Sequence, residues 1–410
     1  MNKQHMHFSR RSSLTAIAGL MALRPLSGWA QKKYGPGVTD SEIKIGNTSP
    51  YSGPGSAYGA IAKMHTAYFK MVNERGGING RKINYLSYDD ALSPPKTVEQ
   101  TRKLVEQDQV LAVFNSVGTA ANLAVQKYLN NKKVPQLMVG AGSTRLIDPQ
   151  AFPWTIGWQP TYHSEGAIYA KYILANIPDA KVAILSQNDD FGRDYVGGLK
   201  AAFGDKAKSV IISETTYEPT DATVDSQILK MKASGANVLV NITTPKFAAQ
   251  TIKKVAEVGW KPTHFLTSIS ISMGAVMRPA GLENGQGIIS AAYLMEATDD
   301  RWKDNPEMRE WNAFMDKYLP DANKADWMNV FGYVAAQALV HVLQQCGDDL
   351  SRENVMKKAA SMKNVRFKLM LPGIFANSSD KNFFPVRQLQ MVRLQGQKWE
   401  LFGSVIDSDA

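Results

Sequence analysis

The chain has 410 residues, 44% of them hydrophobic and 20% charged, with 47 lysines and arginines against 37 acids for a formal charge of +10. That length exceeds a comfortable single core and predicts two domains. The basic residues are interspersed with acids rather than gathered on one stripe, which excludes a nucleic-acid binder, and the single cysteine, Cys346, excludes an intrachain disulfide framework.

The first thirty residues carry the layout of a bacterial export signal. Arg10 and Arg11 precede an apolar run from Leu14 to Leu23, and small residues follow at Gly28 and Ala30. The run is about ten residues, too short to span a bilayer. The order Ser9-Arg10-Arg11-Ser12-Ser13-Leu14 is close to the twin-arginine pattern. Residues 1–30 are therefore expected to be removed, leaving 43 basic and 37 acidic residues, or +6. No cysteine lies near the cleavage site to take a lipid, and no later segment is apolar for the length of a span, so a product free in the periplasm is expected.

Beyond the signal, short β-branched runs alternate with helical patterns. Strands are predicted at 43–47, 83–89, 110–115, 135–139, 182–187, 210–215, 238–242, 264–267, 287–292 and 388–394. Several, such as VAILS and NVLVNI, are nearly continuous in apolar residues, the pattern of parallel strands buried on both faces. Helices are predicted at 58–75, 94–107, 120–131, 164–177, 223–234, 245–258, 306–318, 327–345 and 351–361. Strand then helix, repeated, implies doubly wound α/β sheets. There are too many strands for one sheet of ordinary size, so two lobes are expected. The stretch FPWTIGWQPTY, residues 152–162, has no clear period and reads as a crossing between them.

In open α/β sheets ligands bind beyond the carboxyl ends of the strands. Four predicted strands run there into small polar clusters that open a helix. They are Ser52-Gly53-Pro54-Gly55-Ser56-Ala57-Tyr58-Gly59, Asn115-Ser116-Val117-Gly118-Thr119, Gly140-Ala141-Gly142-Ser143-Thr144 and Gln187-Asn188-Asp189-Asp190-Phe191-Gly192. Free amides, hydroxyls and the positive ends of helices would suit an anion such as a carboxylate. Taken one at a time, such residues are more often turn and cap residues. Three clusters in the same slot, with Tyr58 and Phe191 beside them, make a site.

Catalytic constellations do not occur. There is no His-Glu-x-x-His, Cys-x-x-Cys, Gly-x-Ser-x-Gly or phosphate loop, and the glycines of 53–59 lack dinucleotide-loop spacing. His65, His163, His264 and His341 are scattered and read as structural or surface residues, and Asp189-Asp190 as a helix cap. No enzyme activity, metal or cofactor is expected.

The segments YSGPGSAYG (51–59), NERGGINGRKINYLSYDDALSPPKTVEQTRKLV (73–105), NSVGT to GAGST (115–144) and QNDDFGRDYVGGLKAAF (187–203) resemble the periplasmic solute-binding proteins of ABC transporters, in the branch typified by the leucine/isoleucine/valine-binding protein. The resemblance runs over essentially the whole chain after the signal. It implies two doubly wound, Rossmann-like lobes joined by three hinge crossings, residues 37–157 with 294–370 and residues 158–293 with 371–410. It also implies a monomer that closes over a small ligand, docks on a membrane permease and catalyses nothing. Ligand contacts would fall at Tyr58, Gly118 and Thr119, Ser143 and Thr144 in the first lobe, with Asn115 in the same cluster. In the second they would fall at Phe191, near Thr243 and Thr244, and at Ser268 to Ser270.

Two departures bear on the ligand. Amino-acid binders of this family hold the ammonium with an acid that falls at about Ile269, yet no Asp or Glu occurs from Lys261 to Leu282. A buried ammonium without a partner costs several kcal/mol. The usual first-lobe serine is Gly118, which is expected to make room for a ring beside Tyr58, Phe191, Tyr162 and Trp158. An amine-free, aromatic carboxylate is therefore favoured. The alternative is a branched-chain amino acid whose ammonium is held by Asp189 or Asp190, and amides, urea or a ligand-sensing role are further alternatives.

Overall fold

The computed structural model describes residues 32–407, together with Met1; the expected export signal lies outside this range. Among the described residues two large sheets form, beside a small parallel pair of Lys33–Tyr34 with Asp349–Leu350. The first is all parallel, in the order Lys82–Asp89, Glu42–Ser49, Ala112–Phe114, Gln136–Val139, Thr155–Gly157. The second runs Lys398–Asp407, Gln388–Gln395, Ile289–Ala292, Thr263–Leu266, Val238–Ile242, Val182–Gln187, Ile211–Tyr217, and only the pairings of its two last strands in the chain are antiparallel. In each sheet the first strand lies between the second and the third, so each has a switch point where the order reverses and a crevice opens. The apolar runs VAILSQ and VLVNI are central and wholly buried, which is why they lack period-two alternation.

Several boundaries differ from the sequence reading. The strand expected at 110–115 shortens to Ala112–Phe114, and Asn115 turns to φ 48° just after it. The helix expected at 94–107 is α-helical over Pro94–Arg102 and continues as a wider turn, Lys103–Gln107. Thr155–Gly157 is an edge strand inside the stretch read as a crossing, and Lys398–Asp407 was not anticipated.

The helix Gly59–Glu74 packs on Trp327–Cys346, which ties the late helices to the first sheet. The chain therefore passes between the sheets three times, and the passages lie side by side. Gly157 N–H donates to Phe383 O (3.0 Å) and Val386 N–H to Trp158 O (3.3 Å), while Leu371 N–H donates to Tyr293 O (2.9 Å) and Met295 N–H to Leu369 O (2.8 Å). In the second half, helices Tyr162–Asn176 and Asp190–Phe203 meet backbone to backbone. A Cβ on Gly198 would stand 1.9 Å from His163 O, so only glycine permits the approach that carries Phe191 toward Tyr162. Among the described residues no helix is long and apolar enough to cross a membrane.

Candidate functional site

The loops beyond the carboxyl ends of both sheets enclose a cleft of about 460 Å³. The register of the first sheet explains the near wall. Ser49 pairs with Asp89 at the ends of their strands, so the loop carrying Gly55 and Tyr58 runs beside the one carrying Ala91 and Leu92. The strand Ala112–Phe114 adds Gly118 and Thr119, and the first turn of Trp327–Cys346 adds Trp327 and Phe331. The opposite wall is Phe191, Thr244 and Ile269, with Gln187 to Asp189 and Glu218 to Thr220 at one side.

Of the residues singled out from sequence, the structure brings Tyr58, Gly118, Thr119, Tyr162, Phe191, Thr244 and Ile269 to the cleft. Asn115, Ser143, Thr144, Thr243 and Ser268 face elsewhere. Asn115 Nδ2 donates to Met138 O (2.5 Å), and Ser143 is wholly buried. Thr243 Oγ1 donates to Asn241 Oδ1 (2.6 Å). Ser268 turns inward, its N–H and Oγ donating to the two oxygens of Glu165 (2.7 and 2.5 Å). Glu165 is 1% exposed, also accepts from Tyr169 Oη (2.6 Å), and is pushed upward in pKa by burial. This anchor holds the 268–270 turn so that Ile269 presents to the cleft. Thr144 faces the second half of the molecule: its Oγ1 and N–H donate to Asp194 (2.5 and 3.1 Å). Beside it Arg145 pairs with Asp190.

Three expectations about the surroundings change. Trp158 is not near the cleft but wholly buried in the crossings against Phe367, ring centroids 5.7 Å apart. The room expected at Gly118 is taken by Leu92, whose Cδ1 would lie 2.5 Å from a Cβ there. Asp190, offered as a replacement acid, is engaged by Arg145 and by Arg193 (3.1 Å). Sequence reasoning missed Leu92, Trp327 and Phe331. The last two stand four apart at the start of the helix predicted at 327–345, a spacing that could have pointed to one shared face.

Two features set the electrostatics. Among the described residues that line the cleft there is no lysine, arginine or histidine. Helix Thr119–Asn131 starts behind Gly118, an N-cap with no side chain, so its first-turn amides are uncapped. Close by, Thr119 Oγ1 and Tyr58 Oη are buried beside Tyr162 and Ser270, yet neither makes a hydrogen bond of normal geometry among the described residues. Such groups cost roughly 1–3 kcal/mol each when left unsatisfied. The acid most nearly placed for an ammonium, Asp189, already accepts from Phe191 N (3.0 Å), Gly192 N (3.2 Å) and Gln187 Nε2 (2.6 Å). Burial raises its pKa, against those hydrogen bonds. Glu218 is exposed at the rim and accepts from Asn188 Nδ2 (2.6 Å).

Residues 42–398 match the family model described as periplasmic binding protein. The chain belongs to the periplasmic binding protein family. Curated relatives of this periplasmic binding protein include Leu/Ile/Val-binding protein homolog 1 of Brucella suis, 24% identical over 338 residues, 79% of this chain and 85% of that one. Homolog 7 of Brucella abortus is 21% identical over 382 residues, 90% and 92% of the two chains. Two solved structures share the fold: a branched chain amino acid ABC transporter from Thermus thermophilus with bound valine (TM-score 0.80, 18% identity, 90% and 97% coverage) and a fatty acid ABC transporter substrate-binding protein from Thermomonospora curvata (TM-score 0.79, 21% identity, 92% and 95%). The protein is thus an ABC-type solute-binding protein of the branched-chain amino acid binding branch. In this periplasmic binding protein the apolar Ile269 lines the cleft.

Proposed function

We propose that the protein captures an amine-free carboxylate, an aromatic acid first of all, and hands it to a membrane permease after export through residues 1–30. The observation that carries this reading is the pairing of opposite ends in one cleft. An uncapped helix start beside the buried Thr119 and Tyr58 hydroxyls, neither held by a hydrogen bond of normal geometry among the described residues, suits a carboxylate. Ile269, an apolar side chain, lines the cleft at the position where the resemblance would put an ammonium-binding acid. The walls of Tyr58, Tyr162, Phe191, Trp327 and Phe331 suit a ring. The two neighbours named above, one titled for valine and one for fatty acid, indicate that the fold serves both head-group classes.

The experiment is the swap of that one side chain. Ile269→Asp is expected to weaken binding of benzoate and cinnamate by at least ~10-fold through charge repulsion and to strengthen binding of leucine and valine, since a charged pair is worth about 1.4 kcal/mol or more in a water-poor site. Isothermal titration of both proteins reads the change. An unaltered ligand preference would mean that position 269 does not face the head group.

A further inference from the structure

We infer that Leu92 sets the width of the cleft beside the ligand's anionic group, and so decides which substituents the atoms next to that group can carry. For the chemistry of the ligand this rests on the carboxylate reading above; for the shape of the cleft it does not.

Leu92 reaches the cleft because its backbone is held in an unusual form. Ala91 and Leu92 both have left-handed dihedrals, φ 50° and 58°. Side-chain-bearing residues rarely take that region, and two in succession need fixing from outside. Two carboxylates fix them. Asp89 Oδ1 accepts from Ala91 N–H (3.0 Å) and Asp90 Oδ1 from Leu92 N–H (3.0 Å). Asp90 is itself wholly buried, with Thr97 Oγ1 donating to its other oxygen (2.9 Å) and Ser93 N–H donating to its carbonyl (2.8 Å). Backbone strain held so firmly clusters at binding sites.

The side chain then fills the gap between two glycines. A Cβ on Gly55 would lie 2.9 Å from Leu92 Cδ2, and one on Gly118 would lie 2.5 Å from Leu92 Cδ1. Gly55 and Gly118 stand in the loops after the two strands that flank the switch point, and Gly118 is the N-cap of the helix whose amides face the cleft. The two methyl groups therefore border the place where a carboxylate would sit. A flat acid with nothing on the neighbouring carbons fits beneath them; a branch or ring substituent next to the carboxylate meets them.

The test compares Leu92→Ala and Leu92→Gly with the unaltered protein, the glycine variant also removing the left-handed penalty so that the turn is retained. The probes are benzoate, 2-ethylbenzoate and 4-ethylbenzoate, measured by isothermal titration; the two ethyl compounds add the same atoms beside the carboxylate or at the far end. The unaltered protein is expected to bind the 2-ethyl acid at least ~10-fold more weakly than the 4-ethyl acid, and the variants to cut that ratio by about 10-fold while the 4-ethyl to benzoate ratio moves less than about threefold. A 2-ethyl to 4-ethyl ratio near unity in the unaltered protein, or one unchanged in both variants, overturns the inference. If the benzoates do not bind and leucine does, the amine-free reading falls by itself. The pair leucine and α-methylleucine then decides the role of Leu92 by the same ratios. Binding of neither series would overturn both.

Discussion

Single side chains here divide into those that meet the cleft and those that hold others in place, and the two kinds should respond differently to change. Thr119 is of the first kind. Its buried hydroxyl, without a hydrogen bond of normal geometry among the described residues, lies at an uncapped helix start. Thr119→Val is expected to weaken carboxylate binding by roughly 1–3 kcal/mol, the worth of a hydrogen bond to a charged group, with little change in Tm. Titration against benzoate checks it, and an unaltered Kd would remove Thr119 from the contact. His264 is of the second kind. Its Nε2 accepts from Asn241 Nδ2 (3.1 Å), whose own carbonyl takes the Thr243 hydroxyl. Burial lowers its pKa from 6.5 to about 3. The folded protein thus binds fewer protons than the unfolded chain between those values, so the stability this residue confers is present above pH 6.5 and is lost as pH falls through that window. His264→Gln, which keeps an acceptor without a titration, is expected to make Tm fall less steeply below pH 6.5; an unchanged slope would contradict the assignment. His65, likewise lowered to about 3 by burial, contributes a slope of the same sign.

At this scale legibility followed locality. Tyr58, Thr119, Phe191 and Ile269 stand at strand-to-helix junctions, and a junction is written in neighbouring residues. Leu92 could not be read, because its orientation depends on left-handed dihedrals fixed by Asp89 and Asp90. Ser268 and Thr144 sit at junctions too, but their partners, Glu165 and Asp194, come from 103 and 50 residues away.

At the level of elements, helix Asp190–Phe203 joins the cleft to the opposite half of the molecule. Phe191 lines the cleft, while Asp190 and Asp194, four apart and so on one face, take Arg145 and Thr144 from the short turn Thr144–Leu146. Those contacts join the two halves of the molecule, so they are expected to act on closure rather than on ligand contact. Thr144→Ala and Asp194→Ala should each weaken binding of every ligand alike, and the double variant should lose no more than the worse single one. Titration of the four proteins with two different acids checks it. Additive losses, or a change in rank between the acids, would contradict a closing role. The helix was legible only at its opening, through the Asp189 cap; Gly166 and Gly198 gain meaning only once two helices are seen to touch.

For the whole molecule, the alternation of apolar runs and helical periods was enough to read two parallel, doubly wound sheets, because buried central strands such as 182–187 and 238–242 are written in composition alone. The edge strands Lys82–Asp89 and Ile211–Tyr217 were readable as well, but the edge strand Thr155–Gly157, three residues long, and Lys398–Asp407 were not. Which late segments belong to which half was not readable from periodicity either. The packing of Gly59–Glu74 on Trp327–Cys346 and the side-by-side crossings join residues hundreds apart. The central claim is that this architecture clamps a carboxylate that carries no amine. The measurement that tests it most directly is thermal unfolding of the protein with 3-phenylpropanoate and with phenylalanine, which differ only in the amine. At a hundred times its dissociation constant a ligand adds about 2.7 kcal/mol to stability. The account expects a rise in Tm with 3-phenylpropanoate and none with phenylalanine; a rise with phenylalanine alone would contradict it.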